Sequence, residues 1–122
     1  MSDNQDQIAN LEELRERIRA FARARDWQQY HSPKNLSMAL IAEAAEVVEH
    51  FMWMDSSESR ALDEATRAEV ELELADVLVY LVTLADLLGV DLLDAARRKL
   101  ALNAEKYPVS KSRGNARKYD KL

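Results

Sequence analysis

The sequence predicts an all-α bundle of four to five helices, and three observations carry that expectation. Only two glycines and two prolines occur in 122 residues, far too few for the turns of a β fold. Apolar side chains recur at three- and four-residue spacing, so that each helical stretch has a face to bury. One stretch, Leu74 to Ala85, is apolar on nearly every side, with Asp76 as its only charge. A chain of this length is one domain, large enough for a core but small. We divide it into a loose tail at residues 1–7, a helical body at 8–108 and a basic tail at 109–122.

The first helix is expected from Ile8 to about Asp26 or Trp27, with Ile8, Leu11, Leu14, Ile18, Phe21 and Ala22 on its apolar face. Glu13 and Arg17 form a favourable pair four residues apart. No chemistry is visible on it. The segment Trp27 to Lys34 then breaks the pattern and reads as a loop through Pro33. It carries Trp27, Tyr30 and His31, which serve either as packing at the edge of the core or as a platform for a flat ligand.

Asn35 is the expected N-cap of a second helix, Leu36 to about Met54. Its apolar row Leu36, Leu40, Val47, Phe51 has Glu43 set inside it. Glu46 and Glu49 follow at three-residue steps. Acidic groups at a buried helix margin are costly unless a cation meets them. No Lys or Arg stands between Asn35 and Ser59. Asp55 to Ser59 reads as a turn, and Arg60 to Arg67 as a short helix or the beginning of the next.

A third helix runs from Val70 to Leu88, and Gly89 stops it. A monomer of this size has little interior in which to hide so apolar a helix, so we expect it to pack against a second subunit. Asp91 caps a fourth helix, Leu92 to about Tyr107, ended by Pro108. Lys99, Asn103 and Lys106 share one of its faces, which by itself reads as solvated surface. The tail beyond shows no helical periodicity and is expected to be mobile, or draped over the body or a neighbouring subunit.

Composition narrows the function. The net charge of −5 speaks against nucleic acid as the main partner. The absence of cysteine removes disulfides and thiolate metal sites. The opening residues are polar and acidic, unlike a signal peptide, and the longest uncharged run, Val77 to Ala85, is too short to span a bilayer. A cytoplasmic protein is expected.

Two acidic pairs remain, Glu43 with Glu46 and Glu73 with Asp76, each at i,i+3 spacing. Antiparallel packing of their helices would bring four carboxylates together, and protonation or a metal ion must relieve the repulsion. A hard divalent cation suits oxygen donors, and Mg2+ leaves positions for water and phosphate. A di-iron bundle fails, because it needs Glu-x-x-His on two helices and the third helix has no histidine. An ion network completed by Arg or Lys from elsewhere stays open beside the Mg2+ site. So does a non-catalytic oligomerisation or nucleotide-sensing module built on such a network.

These residues resemble a family. Glu43-x-x-Glu46 followed by Glu73-x-x-Asp76 is similar to the motif of the all-α MazG-like nucleoside triphosphate pyrophosphohydrolases. The likeness extends to their dCTP pyrophosphatase branch through Asp26-Trp27, Tyr30-His31, Pro33 to Leu36, Phe51-x-Trp53, Asp76 to Tyr80, Lys99, Asn103, Lys106 to Val109, Ser112 to Gly114 and Lys118-Tyr119. His50 and Met52 depart from the pattern around Phe51. The resemblance implies a bundle assembled as a dimer of dimers, a homotetramer. It also implies cleavage of a nucleoside triphosphate, dCTP or a modified dCTP, between the α and β phosphates. Pyrophosphate and the monophosphate result, as nucleotide-pool house-cleaning requires. Carried over, Glu43, Glu46, Glu73 and Asp76 hold Mg2+, with Mn2+ able to substitute. Lys99, Asn103, Lys106 and Arg113 reach the phosphates, and Trp27, His31, Trp53 and Tyr80 form the base and sugar pocket.

Overall fold

Asn10 opens the first helix, its side chain accepting the Glu13 N–H, and the computed structural model carries this helix, α1, over Leu11–Ala24. The structure describes residues 7–122, and the regular elements among them are all helical. Of the expected N-terminal tail, all but Gln7 lies outside the described residues. The helix begins three residues later than the apolar pattern suggests, because Asn10 supplies a cap that Ile8 cannot. Asp26, at φ 53°, then turns the chain into a short 3-10 segment at Gln28–Tyr30.

The second helix, α2, spans Pro33–Phe51, and here the sequence reading needs correction. Ser32, not Asn35, is the N-cap, and it accepts the Asn35 N–H at 3.1 Å. Pro33 is not a loop residue. It occupies the first helical turn, where a missing N–H costs nothing and its fixed φ suits the helix. Asn35 instead ties the helix to the preceding segment, its Nδ2 donating to the Tyr30 carbonyl at 3.0 Å. Residues 56–59, expected as a turn, close into a one-turn helix, α3, Ser56–Ser59, capped by Asp55.

The long apolar helix, α4, runs Glu64–Leu88 and so begins six residues before the predicted Val70. Asp63 provides the start by accepting the Thr66 N–H at 2.7 Å. Gly89, at φ 69°, provides the predicted stop in a left-handed conformation that favours glycine. Helix α2 packs along α4, and α1 also contacts α4. The α2–α4 pair is antiparallel: His50 near the end of α2 faces Glu69 and Glu73, while Glu43 and Glu46 reach Glu73 and Asp76 further along α4. On α1, Arg19 donates from Nε to Asp86 Oδ2 at 2.7 Å and from Nη2 to Oδ1, a two-pronged ion pair that fixes it to α4.

The buried apolar side chains are Ala22, Leu36, Val70, Val82 and Ala85, with Leu36 only 2% exposed. The remaining apolar surface of α4 is open: Leu72 is 71% exposed, and Leu74, Leu78, Leu81, Leu87 and Leu88 are exposed as well. Ile41 on α2 is as exposed as Leu72. Among the described residues, no helix is long and apolar enough to cross a membrane.

These elements make up one compact unit ending at Gly89, and Val90–Leu122 forms a second. Within the second, Asp91 caps α5, Leu92–Lys106, as the sequence predicts. The tail holds more regular structure than its lack of periodicity suggests. It forms the one-turn helix α6, Val109–Ser112, and a 3-10 turn at Tyr119–Lys121. Tyr119 meets Tyr107 edge-on at 6.1 Å, and Lys106 Nζ lies 5.1 Å from the Tyr119 ring centre.

Candidate metal centre

The antiparallel register of α2 and α4 joins the two i,i+3 acidic pairs into one cluster. Glu43, Glu46, Glu73 and Asp76 each offer a carboxylate oxygen, and these oxygens all lie within 4.8 Å of one another. Three- and four-residue spacing places each pair on one helix face, so the helix contact itself gathers the charges. Glu43 and Glu73 are half-buried, whereas Glu46 and Asp76 are exposed. The arrangement therefore opens towards solvent on one side and into the helix interface on the other.

Electrostatics register the crowding. Burial pushes the Glu43 carboxyl above the ordinary glutamate range, and Glu46, Asp76 and Glu73 add to the rise. Glu73 is also raised, first because its carboxylate comes within hydrogen-bonding reach of Glu46, then by burial and repulsion, with His50 opposing. Glu43 Oε2 and Glu73 Oε2 are buried and have no hydrogen-bond partner. Two orphaned anionic oxygens are expensive in a folded chain unless a cation is bound. The donor set is all oxygen and carries several negative charges, which fits a hard divalent ion rather than a soft one.

The other predicted residues fall into two groups. In the first unit, Trp27 packs edge-on against Phe21 at 5.7 Å between ring centres, and His31 is half-buried after the 3-10 turn. Tyr80 stands one helical turn beyond Asp76 on α4, half-buried. Trp53 is 88% exposed, so a single chain leaves this proposed wall of the pocket bare. In the second unit, Lys99, Asn103 and Lys106 line one face of α5, and Arg113 ends α6. Asn103 is the least exposed of these, and its carbonyl accepts the Tyr107 N–H.

His50 is the residue whose place beside the acids the sequence reading did not identify. Its side chain is only 19% exposed, with Nε2 3.9 Å from Glu73 Oε1 and Nδ1 3.9 Å from Glu69 Oε2. The signal was available: His50 follows Glu46 by four residues and Glu43 by seven, so it shares their face.

Residues 39–122 match the MazG-like family. The chain is 44% identical over 114 residues to dCTP pyrophosphatase 1 of Mus musculus, covering 92% of this chain and 67% of that protein. It is 40% identical over 114 residues to dCTP pyrophosphatase 1 of Homo sapiens, again covering 92% of this chain and 67% of that one. A crystal structure of a pyrophosphatase from Archaeoglobus fulgidus matches with a TM-score of 0.77 at 40% identity, covering 84% of this chain and 95% of that one.

Proposed function

The chain belongs to the MazG-like family, and on that premise we propose that it hydrolyses a deoxynucleoside triphosphate, dCTP or a modified dCTP, to the monophosphate and pyrophosphate. The single observation that carries this reading is the convergence of four carboxylates on α2 and α4, two of them with buried and unpartnered oxygens. Relatives named dCTP pyrophosphatase 1 support the choice of substrate.

In this reading Glu43, Glu46, Glu73 and Asp76 hold Mg2+, for which Mn2+ can substitute. Held there, the ion would supply neutralisation of the triphosphate charge and polarisation of the α phosphorus. A water oriented by the cluster attacks that phosphorus in line. The bond from the α phosphorus to the α–β bridging oxygen breaks, the electron pair leaves with pyrophosphate, and the water's proton passes to a carboxylate. Lys99, Asn103, Lys106 and Arg113 bind phosphate oxygens. Trp27, His31, Trp53 and Tyr80 enclose the base and sugar, a ring against the sugar C2′ leaving no room for a ribose hydroxyl. Residues 8–108 are the pyrophosphohydrolase domain, and 109–122 a basic tail that supplies Arg113.

Exposure of Leu72, Leu74, Leu78 and Ile41 supports a homo-oligomer, a tetramer, in which a second subunit covers α4 and closes the pocket at Trp53. Sedimentation at micromolar concentration tests the assembly, and a monodisperse monomer refutes it. Pyrophosphate release from the eight common NTPs and dNTPs and from 5-methyl-dCTP tests the activity. We expect dCTP or its methylated form to lead, with turnover abolished by EDTA. Purine triphosphates turning over as fast as dCTP would sink the pyrimidine assignment. Failure to hydrolyse any triphosphate or bind Mg2+ would leave a non-catalytic helical module.

A further inference from the structure

Beyond Lys34 in its first turn, helix α2 has no Lys or Arg, yet it brings an imidazole to the acidic cluster. His50 lies between two carboxylates one turn apart on α4, with a different ring nitrogen towards each. Nε2 faces Glu73, a member of the cluster, and Nδ1 faces Glu69, which lies outside it and is 69% exposed. A single ion cannot use both nitrogens of one imidazole, so this trio is not a second chelating site. Nor is it an ordinary core histidine, because a ring placed for apolar packing alone would not meet an acid on each side. At 3.9 Å both contacts are longer than hydrogen bonds, and each sets a polar ring edge against a carboxylate.

We propose that His50 is a positioning residue for the metal centre. Its Nε2 side steers Glu73 Oε1 away from the cluster, leaving the buried and unpartnered Oε2 for the ion. Glu69 orients the ring from the other edge. Outer partners of this kind fix the rotamer of a ligating group, and their loss typically costs about 10–100-fold in metal affinity. The inference rests on the metal-site reading above.

The test is calorimetric titration of Mn2+ into the metal-free full chain without nucleotide, at one fixed pH, with helix content checked by circular dichroism. His50→Leu keeps the bulk and removes both nitrogens; His50→Gln keeps a donor. We expect His50→Leu to weaken Mn2+ binding about 10-fold or more, and His50→Gln to retain most of the affinity. In turnover, the Mg2+ concentration for half-maximal rate should rise in His50→Leu while the rate at saturating Mg2+ changes little. Glu69→Ala should weaken binding in the natural sequence and add nothing to His50→Leu. Unchanged affinity in a folded His50→Leu overturns the proposal, and so does a His50→Gln variant as weak as His50→Leu. Should His50→Leu lose its helical signal, Glu69→Ala decides: lowered affinity supports the positioning role and unchanged affinity overturns it. Asp76→Asn serves as the reference. If it too binds Mn2+ like the natural chain, the metal-site reading itself fails; if it alone loses binding, only the role of His50 falls.

Discussion

Helix α4 carries acidic groups in two settings, and the contrast between them separates what holds the fold from what the site needs. At its C-terminal end, Asp86 receives a two-pronged guanidinium from Arg19 of α1, and the carboxyl is held well below the usual aspartate range. That hydrogen bond to Arg19 is the main cause, opposed by burial. Ten residues earlier on the same helix, Asp76 and Glu73 face Glu43 and Glu46, and the pKa values of Glu43 and Glu73 move the opposite way. One end is a finished contact between two helices. The other is a set of anions left to attract something from outside the chain.

The largest expected break in that comparison is at Asp76. Asp76→Asn keeps the shape and removes one negative donor, so the helix should melt at an unchanged or slightly higher temperature while turnover falls by more than about 100-fold. That bound follows because even the outer partners of a metal site cost about 10–100-fold. A thermal melt and a pyrophosphate-release assay on the same preparation measure both. Wild-type turnover in this variant would show that the cluster is not the site. Asp86→Asn should do the reverse: the melting temperature drops by a few degrees, because the half-buried Arg19 loses its charged acceptor, and turnover is retained. Loss of turnover without loss of stability there would dissolve the distinction between the two ends of α4.

The sequence made the cluster legible and the Arg19–Asp86 contact invisible, for a physical reason. Each acidic pair is a local i,i+3 feature, and apolar neighbours mark its position at a helix margin, so only the antiparallel pairing had to be supplied. Arg19 and Asp86 are 67 residues apart, and nothing in either helix announces the other. Helix centres were readable for the same reason that their ends were not. Apolar periodicity locates a core face, but the start depends on which polar side chain wins the cap. Ser32 won over Asn35 because Pro33 fits the first turn, and Asp63 drew α4 back to Glu64. His50 shares the face of Glu43 and Glu46 by spacing, but its partners, Glu69 and Glu73, are on another helix, which the spacing within α2 does not reveal.

A smaller effect sharpens the comparison by its sign. Glu43→Gln removes one repelling charge from the cluster, so the metal-free protein should melt at a higher temperature than the natural chain. The stabilisation by Mg2+ should shrink at the same time. The same chemical change, acid to amide, thus lowers stability at Asp86 and raises it at Glu43. Melting curves in EDTA and in Mg2+ measure both, and a lower metal-free melting temperature for Glu43→Gln would mean that its carboxylate makes a contact more favourable than its repulsions.

The smallest expected effect is on pH, and its sign follows from the same two settings. Glu43 and Glu73 have pKa values raised above the ordinary 4.5, so the folded chain holds their protons more tightly than the unfolded chain. Where the native state binds more protons, stability falls as pH rises. Their contribution is therefore fully present below 4.5 and lost as pH climbs through the raised values. Asp86 runs the other way: its pKa is depressed below 3.8, so its contribution is present above that value and lost as pH falls through the depressed one. Above 4.5 Asp86 is already ionised in both states and adds no slope, which leaves the cluster to set its own. Metal-free melting temperatures should accordingly decline as pH rises from 4.5, and the decline should flatten in the double variant Glu43→Gln, Glu73→Gln. Mg2+ should flatten it too, because a bound ion takes the place of the protons. If the double variant declines as steeply as the natural chain, the slope belongs to the net negative charge of the whole protein, and the cluster is not the strained end of α4 that its crowding implies.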